Sequence, residues 1–363
     1  MSAPHTRYVD DERELQQLIA RLRDHSWFAL DTEFEREKTY YPKLCLLQVA
    51  TPEWVACVDP HALENFDALR DIMLDTTILK VLHACAQDCE VLYQRWHAVP
   101  TPLFDTQVAA PLLGYAEQIG YANLVEQMLG VHLPKSHTRT DWCRRPLSDA
   151  QLRYAEDDAR YLAELYLRMH EALVQNDRLS WLAHDFAELS NSARYTNPPQ
   201  DAWQRLKRLD RMSNSQLAIA QALAEWREAT AQTANLPRAW LLRDDTLLDL
   251  ARVAPTDLTV LKTMDKIHPR LVSRYGRTLL AVIAAARENA PRALPDARPA
   301  PLTPAESAAL AKLQAAVHKL ATQHALDPDV LASRKKLVRI VRGAAPSEVF
   351  KGWRLLALRG ALD

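Results

Sequence analysis

Glycine is scarce in this chain, with 7 residues among 363. Phosphate-binding loops such as GxGxxG and the Walker sequence need several closely spaced glycines, so nucleotide-binding folds built on them are excluded. Long hydrophobic runs are missing too. The longest apolar runs, such as residues 279–286, are far shorter than the ~20 residues that span a bilayer. We therefore predict no transmembrane helix and no membrane partner.

Cysteine is also rare, with 5 residues scattered through the chain. An odd number of dispersed cysteines argues against a disulfide framework and favours a reducing compartment. The first 14 residues are polar and include acids, unlike a signal or transit peptide. These features predict a cytoplasmic protein. Cys85 and Cys89 lie four residues apart without a second Cys/His pair at zinc-like spacing, so we predict that they are buried thiols.

The net charge of −1 hides an uneven distribution. Residues 1–180 contain 28 acidic residues against 18 Lys and Arg, a net charge of −10, whereas residues 181–363 contain 18 against 27, a net charge of +9. A basic region attracts a polyanion and an acidic region can hold divalent cations, and a nuclease needs both. The alternative is that the charges serve only solubility.

Short apolar runs dominate the first part of the chain and helical patterns the rest. Residues 27–34, 44–50, 54–58 and 78–83 are predicted to be strands of a mixed sheet. From Asp149 onward the pattern is helical, with a helix from Asp149 to Leu173 that Ser148 can cap and a helical stretch that should end near Ala193. Five prolines in residues 291–304 indicate an extended linker.

A set of acidic residues carries the strongest chemical signal. Asp31 and Glu33 end the first apolar strand, where residues two apart share a face. Asp88 falls in the opening turn of the helix after strand 78–83, and Tyr154 and Asp158 are four apart on one helical face. Each feature alone is common and can simply face solvent. Together they are rare, and they indicate a site for divalent metal ions.

These residues and their surroundings resemble the DEDDy branch of the 3′→5′ exonucleases and, within it, the ribonuclease D family. The resemblance spans about residues 5–175, and its segments are ALDTEF (29–34), YYP (40–42), HA (83–84) with Asp88, FDTQ (104–107), KSHTRTDW (135–142) through RPL (145–147), and YAEDD (154–158). The stretch 135–158 is the most particular to ribonuclease D. Gln87 stands where the family often has an acid, and Cys45 and Cys85 where it often has small residues.

The resemblance implies an α/β exonuclease domain of the ribonuclease H-like type, a mixed β-sheet flanked by helices. It also implies hydrolysis with two Mg²⁺ or Mn²⁺ ions. Asp31 would bridge the ions, Glu33 and Asp158 would complete the site that holds the attacking water, and Asp88 would hold the second ion through water. Tyr154 would orient the attacking water.

Substrate contacts are predicted near this site. A basic loop cluster could hold phosphates, and two aromatic residues could stack on terminal bases, although a solvated loop and core aromatics are equally open readings. These candidates are Phe34, Lys135, Arg139, Trp142, Arg144 and Arg145. Asp157 points about 100° away from Asp158 on a helix, so we predict that it is not a ligand.

Residues 211–288 resemble an HRDC domain, an auxiliary nucleic-acid-binding helical bundle. A second, diverged copy is expected from Thr303 to Asp363, because Pro328 and Arg334 repeat the spacing of Pro237 and Arg243. Its basic residues are Arg334, Lys335, Lys336, Arg339 and Arg342. The predicted organisation is an exonuclease domain (1–175), a helical connector (176–210), an HRDC domain (211–290), a Pro-rich linker (291–303) and a second HRDC-like domain (304–363).

The function implied is 3′→5′ exoribonuclease activity that trims the 3′ ends of tRNA precursors and other small structured RNAs and releases nucleoside 5′-monophosphates. The partner is RNA, and no protein partner is identifiable. Two alternatives stay open: a DNA 3′→5′ exonuclease, and a non-catalytic nucleic-acid-binding module. No residue in the sequence by itself distinguishes RNA from DNA, since contact with a 2′-hydroxyl needs only one donor or acceptor.

Overall fold

The computed structural model describes residues 5–134, 140–264, 266–292 and 300–362. The chain divides into two compact units. The first comprises the chain up to Glu35, Lys43–Tyr195 and the chain from Leu302 onward, and the second comprises Arg36–Pro42 and Thr196–Pro301. Within the described ranges, no helix combines the length and the apolar character needed to cross a membrane.

Six strands of the first unit form one mixed sheet in the order β1-β4-β3-β2-β5-β6. Their bounds are β1 His5–Val9, β2 Trp27–Glu35, β3 Lys43–Ala50, β4 Trp54–Val58, β5 Leu79–Leu82 and β6 Leu103–Asp105. The central strand β2 runs antiparallel to β3 and parallel to β5. The four predicted strands and the mixed sheet are confirmed. The two edge strands, β1 and β6, were not predicted, because short edge segments carry little periodic signal.

The remaining described structure is mainly helical. In chain order the helices are α1 Glu12–Arg23, α2 Leu69–Leu74, α3 Ala86–Trp96, α4 Thr106–Ala109, α5 Tyr121–Leu129, α6 Asp149–Gln175, α7 Ala183–Leu189, α8 Asn214–Ala234, α9 Arg238–Leu241, α10 Asp244–Val253, α11 Leu258–Lys262, α12 Pro269–Arg287, α13 Pro304–Gln323, α14 Pro328–Leu331, α15 Arg334–Val341, α16 Pro346–Val349 and α17 Gly352–Leu362. Short 3₁₀ segments join several of them.

The helix α6 confirms the predicted helix from Asp149 to Leu173 and ends at Gln175. Ser148 caps it through a reciprocal pair of hydrogen bonds with Gln151. The separate prediction of a long helix that ends near Ala193 is wrong, because the chain leaves the helical conformation after Gln175 and Asp177 is left-handed, with φ of 54°. The separate helix α7 follows at Ala183–Leu189.

Each face of the sheet is covered by its own helices. Phe28 and Leu30 of β2 belong to the core shared with α1, α2 and α3, whereas Ala29 belongs to the core shared with α6. Strand side chains alternate between faces, so Asp31 and Glu33 project on the α6 side and Thr32 on the α3 side. The alternation of side chains along β2 therefore determines which helix each site residue faces.

The helices α13 to α17 pack within the first unit. The Trp353 ring stacks on Trp181 with ring centroids 5.1 Å apart, and Arg354 Nη1 lies 3.0 Å from an Asp185 carboxylate oxygen. Leu310 and Phe350 belong to the same hydrophobic cluster as residues of α6. The sequence pattern, which places a linker before this segment, gives no indication of that packing.

The second unit contains α8 to α12 together with the segment Arg36–Pro42. Glu228 of α8 is fully buried and accepts hydrogen bonds from the Tyr40 hydroxyl at 2.5 Å and from the guanidinium groups of Arg205 and Arg238. The backbone N–H groups of Tyr40 and Tyr41 both donate to the Asn235 side chain. These contacts hold the YYP segment against α8.

The cysteines differ from the prediction in one respect. Cys45 and Cys143 form a disulfide across a Cα–Cα distance of 4.9 Å, so the expectation of a chain without disulfides is wrong in this structure. The two residues are 98 positions apart, and only the folded chain brings them together. Cys85 and Cys89 are buried free thiols, as predicted, and Cys57 is a third.

Candidate active site

Three of the four predicted carboxylates converge. Asp31 and Glu33 from β2 and Asp158 from α6 each offer an oxygen within 4.8 Å of the others. The helix α6 packs across β2, β3 and β4, which brings its Asp158 turn over the end of β2. All three side chains are half-buried. The D-x-E pair and the acid of the Y-x₃-D motif thus meet at one point on the α6 face of the sheet.

The fourth carboxylate, Asp88, approaches from the other face. It is buried in the first turn of α3, and its Oδ1 accepts a hydrogen bond of 2.5 Å from the Thr32 hydroxyl. Thr32 lies between the two acids of β2 and points to the α3 side. The negative charge of Asp31 contributes to the raised pKa of Asp88, which places the two groups in one electrostatic environment.

Burial and repulsion from nearby acids raise the pKa of every carboxyl in this set. Burial is the larger cause in each case, and it raises the pKa of Asp31 and Asp88 to about 8, of Glu33 to about 10 and of Asp158 to about 7. Repulsion from neighbouring acids adds to the shift at all four groups. Four crowded carboxyls therefore resist ionising together unless a cation neutralises them.

This donor set fits hard divalent cations. Mg²⁺ and Mn²⁺ prefer oxygen ligands, and a few carboxylates suffice because such ions keep several waters. The three converging oxygens provide that chemistry, and a cation would relieve the repulsion that raises the pKa values. The residues present match a divalent-metal site.

Tyr154 and Asp158 lie one turn apart in α6, at the spacing predicted from the sequence. A hydrogen bond from the Tyr154 hydroxyl lowers the pKa of Asp158 and partly offsets the effect of burial. The pKa of Tyr154 itself is raised, first by burial and then by Asp158 and Glu33, so this phenol stays protonated at neutral pH. It is a hydrogen-bond donor beside the carboxylate cluster.

Two further residues hold this arrangement and were missed in the sequence. The Tyr121 hydroxyl of α5 donates to the backbone carbonyl of Asp158. Asp105, almost fully buried, accepts from the backbone N–H groups of Ala84 and Cys85 at 3.1 and 2.9 Å and also caps α4. Asp105 falls within the FDTQ segment, which was a usable signal, whereas no sequence pattern marks Tyr121.

The side chains of the predicted substrate-binding residues differ in their exposure to solvent. Phe34 is half-buried at the end of β2 and Arg144 is exposed. Trp142 is 4% exposed and belongs to a core cluster, with its ring 5.9 Å from that of Tyr154. Lys135 and Arg139 lie outside the described residues. The substrate roles of all these residues stay predictions.

Arg145 is fully engaged within the protein. Its Nε and Nη2 donate to the two carboxylate oxygens of Asp59 at 2.5 and 2.7 Å. Nη2 also reaches the Cys45 carbonyl at 2.5 Å, and Nη1 reaches the Trp142 carbonyl at 2.8 Å. Arg145 therefore connects its own loop to β3 and to the turn after β4.

Asp157, the neighbour of Asp158 in α6, forms an ion pair with Arg160 at 2.9 Å.

The fold and the site define a class. A mixed sheet presents D-x-E beside a helix with Y-x₃-D, and residues 6–174 match the family model described as 3′-5′ exonuclease. Residues 216–283 match the HRDC domain model. The class is that of the 3′→5′ exonucleases with an appended HRDC domain.

Relatives narrow the class to one family. The chain is 35% identical to ribonuclease D of Pseudomonas paraeruginosa over 98% of its own length and 96% of the relative. Among solved structures it resembles Escherichia coli RNase D, an exoribonuclease involved in structured RNA processing, with a TM-score of 0.85, 30% identity and coverage of 98% and 96%. The catalytic core of RRP6 from Trypanosoma brucei is more distant, with a TM-score of 0.61, 25% identity and coverage of 79% and 80%.

The chain belongs to the ribonuclease D family and is a 3′→5′ exoribonuclease. Enzymes of this type depend on divalent metal, and the carboxylate cluster supplies suitable ligands.

Proposed function

We propose that this enzyme trims the 3′ ends of tRNA precursors and other small structured RNAs and releases nucleoside 5′-monophosphates. The observation that carries the proposal is the convergence of Asp31, Glu33 and Asp158 beside Tyr154. Support for structured RNA comes from the similarity to Escherichia coli RNase D, an exoribonuclease involved in structured RNA processing. The cytoplasmic location stays a prediction from the sequence.

We assign the metal ligands and the catalytic tyrosine as the sequence predicts. Asp31, Glu33 and Asp158 would hold divalent ions, with Asp88 contributing from the α3 side. Two such ions, when bound, stabilise the attacking and leaving oxygens of the phosphodiester. The Tyr154 hydroxyl, already a donor to Asp158, would orient the attacking water, and its high pKa keeps the proton in place.

The helices α13 to α17 support the proposal of a second HRDC-like module. They repeat the order of α8 to α12: a long first helix with a capping box, a four-residue helix at a proline, a medium helix, a short helix and a final longer one. The capping pairs are Ser213 with Gln216 and Thr303 with Glu306. Its role would be to bind RNA backbone through Arg334, Lys335 and Arg339, which are exposed.

The decisive experiment incubates the full-length protein with a 3′-extended RNA and with a matched single-stranded DNA, each in Mg²⁺, in Mn²⁺ and in EDTA. We expect stepwise loss of 3′ nucleotides from RNA, with mononucleotide products in either metal and none in EDTA. Full activity in EDTA would contradict the metal assignment. Faster digestion of DNA than of RNA would instead favour the DNA exonuclease.

A further inference from the structure

The disulfide joins two parts of the catalytic domain that border the active site. Cys45 lies in β3 where the pairing with β2 shifts: Glu33 pairs with Leu46 and Phe34 with Leu44. Cys45 is therefore the extra residue of a β-bulge directly opposite Glu33 and Phe34. Bulges of this kind commonly lie next to active sites, where they redirect a side chain.

The other half of the disulfide lies in the loop before α6, residues 140–147, which we name the pre-α6 loop. Cys143 follows Trp142, whose ring lies 5.9 Å from the Tyr154 ring. Cys45, Trp142 and Tyr154 belong to one hydrophobic cluster. The disulfide thus connects the bulge beside Glu33 to the packing that surrounds Tyr154.

Other contacts keep the two sulfur atoms close whether or not they are bonded. Arg145 is bound to both carboxylate oxygens of Asp59 and to the Cys45 carbonyl, and these contacts do not depend on the sulfur atoms. Asp141 accepts from the backbone N–H of Cys143 and fixes the turn around it. These contacts keep the pre-α6 loop near β3 in the dithiol form, so oxidation needs little rearrangement, and the disulfide adds a direct covalent restraint at Cys143, next to Trp142.

The surroundings also suit thiol chemistry. Cys143 is only half-buried, so a small molecule can reach it, whereas Cys45 is buried behind it. A ring nitrogen of the exposed His61 lies within 4.8 Å of both sulfur atoms, and His61 Nε2 donates to the Leu44 carbonyl oxygen at 3.0 Å, which holds the imidazole beside the pair. Thiol–disulfide exchange requires such an accessible attacking thiolate and a second thiol within reach.

We propose that Cys45 and Cys143 form a redox modification site, a dithiol that a low-molecular-weight disulfide converts to the cystine and that thereby fixes the pre-α6 loop against the bulge beside Glu33. The Cys143 thiolate attacks one sulfur of the small disulfide, a mixed disulfide forms, and one small thiolate leaves. The Cys45 thiolate then attacks the Cys143 sulfur, and the second small thiolate leaves. The two protons lost by the protein end on the two small thiols released.

The cystine restrains a loop that packs on Tyr154, so the redox state should affect both stability and turnover. The effect on turnover rests on the proposed function, whereas the modification itself does not. We expect the reduced protein to melt about 5–10 °C lower, since a disulfide that closes a long loop stabilises the folded state. We also expect a several-fold lower kcat in the reduced form, because Tyr154 loses part of its positional restraint.

The test treats full-length protein with oxidised glutathione or with tris(2-carboxyethyl)phosphine, then blocks free thiols with N-ethylmaleimide under denaturing conditions. The chain has 5 cysteines, of which 3 are free when the disulfide is formed. Mass spectrometry should therefore count 3 blocked thiols after oxidation and 5 after reduction, with Cys45 and Cys143 in one cross-linked peptide. Melting temperature and kcat are measured on the same samples.

Two variants make the test specific. Cys143→Ser should melt at the same temperature in both reagents, and its kcat should not respond to them. Cys57→Ala removes a buried thiol of the same cluster and should keep the full redox difference. Blocking of both Cys45 and Cys143 after oxidation would overturn the proposal, as would a cystine that changes neither melting nor kcat. A redox-dependent melting temperature without activity on RNA in either state would contradict only the proposed function.

Discussion

Asp157 and Asp158 are adjacent acids with different surroundings. Asp158 lies with Asp31 and Glu33, whereas Asp157 is paired with Arg160. We predict that Asp158→Asn abolishes detectable turnover, because an amide is a neutral and weaker metal ligand, and that Asp157→Asn keeps most activity. Steady-state kinetics on a short RNA measures both. Similar losses in the two variants would show that the roles assigned along α6 are wrong.

Thr32 has a structural role that the D-x-E motif does not indicate. Its hydroxyl is the donor to the buried Asp88 carboxylate at 2.5 Å. Thr32→Val keeps the shape but removes that donor, and we expect kcat to fall about tenfold, the effect of one lost hydrogen bond to a charged group. Thr32→Ser keeps the hydroxyl and is the matched control. Equal kcat in Thr32→Val and wild type would show that the bond does not position Asp88.

The crowded carboxyls also predict how pH acts on the metal-free protein. Their pKa values lie above those of ordinary carboxyls, so the folded state binds more protons than the unfolded state at intermediate pH. The free energy of unfolding that these carboxyls contribute is fully present below their ordinary pKa. It is lost as the pH rises through their pKa values in the folded state, about 7 to about 10.

Metal should counteract that loss, because a cation stabilises the ionised carboxylates. We expect the difference in melting temperature between samples in Mg²⁺ and in EDTA to widen from about pH 6 to about pH 9. Scanning calorimetry across this range measures it. Asp31→Asn, with one acid fewer, should narrow the difference, and a constant difference in the wild type would contradict the interpretation.

At the scale of elements, the turn between β5 and α3 sets the position of Asp88. Asp105 holds this turn through the N–H groups of Ala84 and Cys85, and Ala84 adopts a left-handed conformation with φ of 55°. Local sequence propensity does not favour that conformation, so the carboxylate of a later strand end is needed to maintain it.

Asp105→Ala should therefore lower both stability and activity. Loss of the acceptor leaves the buried N–H group of Cys85 and the part-buried N–H group of Ala84 without their partner, and we expect roughly 3 kcal/mol less free energy of unfolding. Asp105→Asn retains one oxygen and should lose less. Urea denaturation measures the first effect and kcat the displacement of Asp88. Unchanged kcat in a folded Asp105→Ala protein would show that α3 is positioned by its apolar packing alone.

The whole molecule combines an acidic catalytic domain with basic helical segments. Arg334, Lys335 and Arg339 of α15 are exposed, whereas Arg342 is paired with Glu306 and Lys336 lies over the Phe350 ring. Three exposed cations on one short helix suit contact with phosphates.

Replacing Arg334, Lys335 and Arg339 with Gln should weaken binding of a tRNA-like RNA and flatten its salt dependence. Each lost phosphate contact reduces the slope of log affinity against log salt by ~0.7 to ~0.9. Filter binding at several salt concentrations measures the slope. Arg13→Gln with Arg70→Gln, both exposed on the side of the sheet covered by α1 and α2, is the control and should leave the slope unchanged. Equal salt slopes in the wild type and both variants would show that α15 does not contact the RNA phosphates.

The sequence by itself determined the local geometry of this site. A strand repeats every two residues and a helix every 3.6, so the spacing of Asp31 with Glu33 and of Tyr154 with Asp158 already indicated shared faces. The tertiary structure alone decided the contacts between distant segments. Thr32 meets Asp88 across 56 residues, Cys45 meets Cys143 across 98, and Arg354 meets Asp185 across 169. Such contacts depend on how the helices and the sheet pack against one another in a dense interior. The spacing of residues along the chain carries no information about that packing.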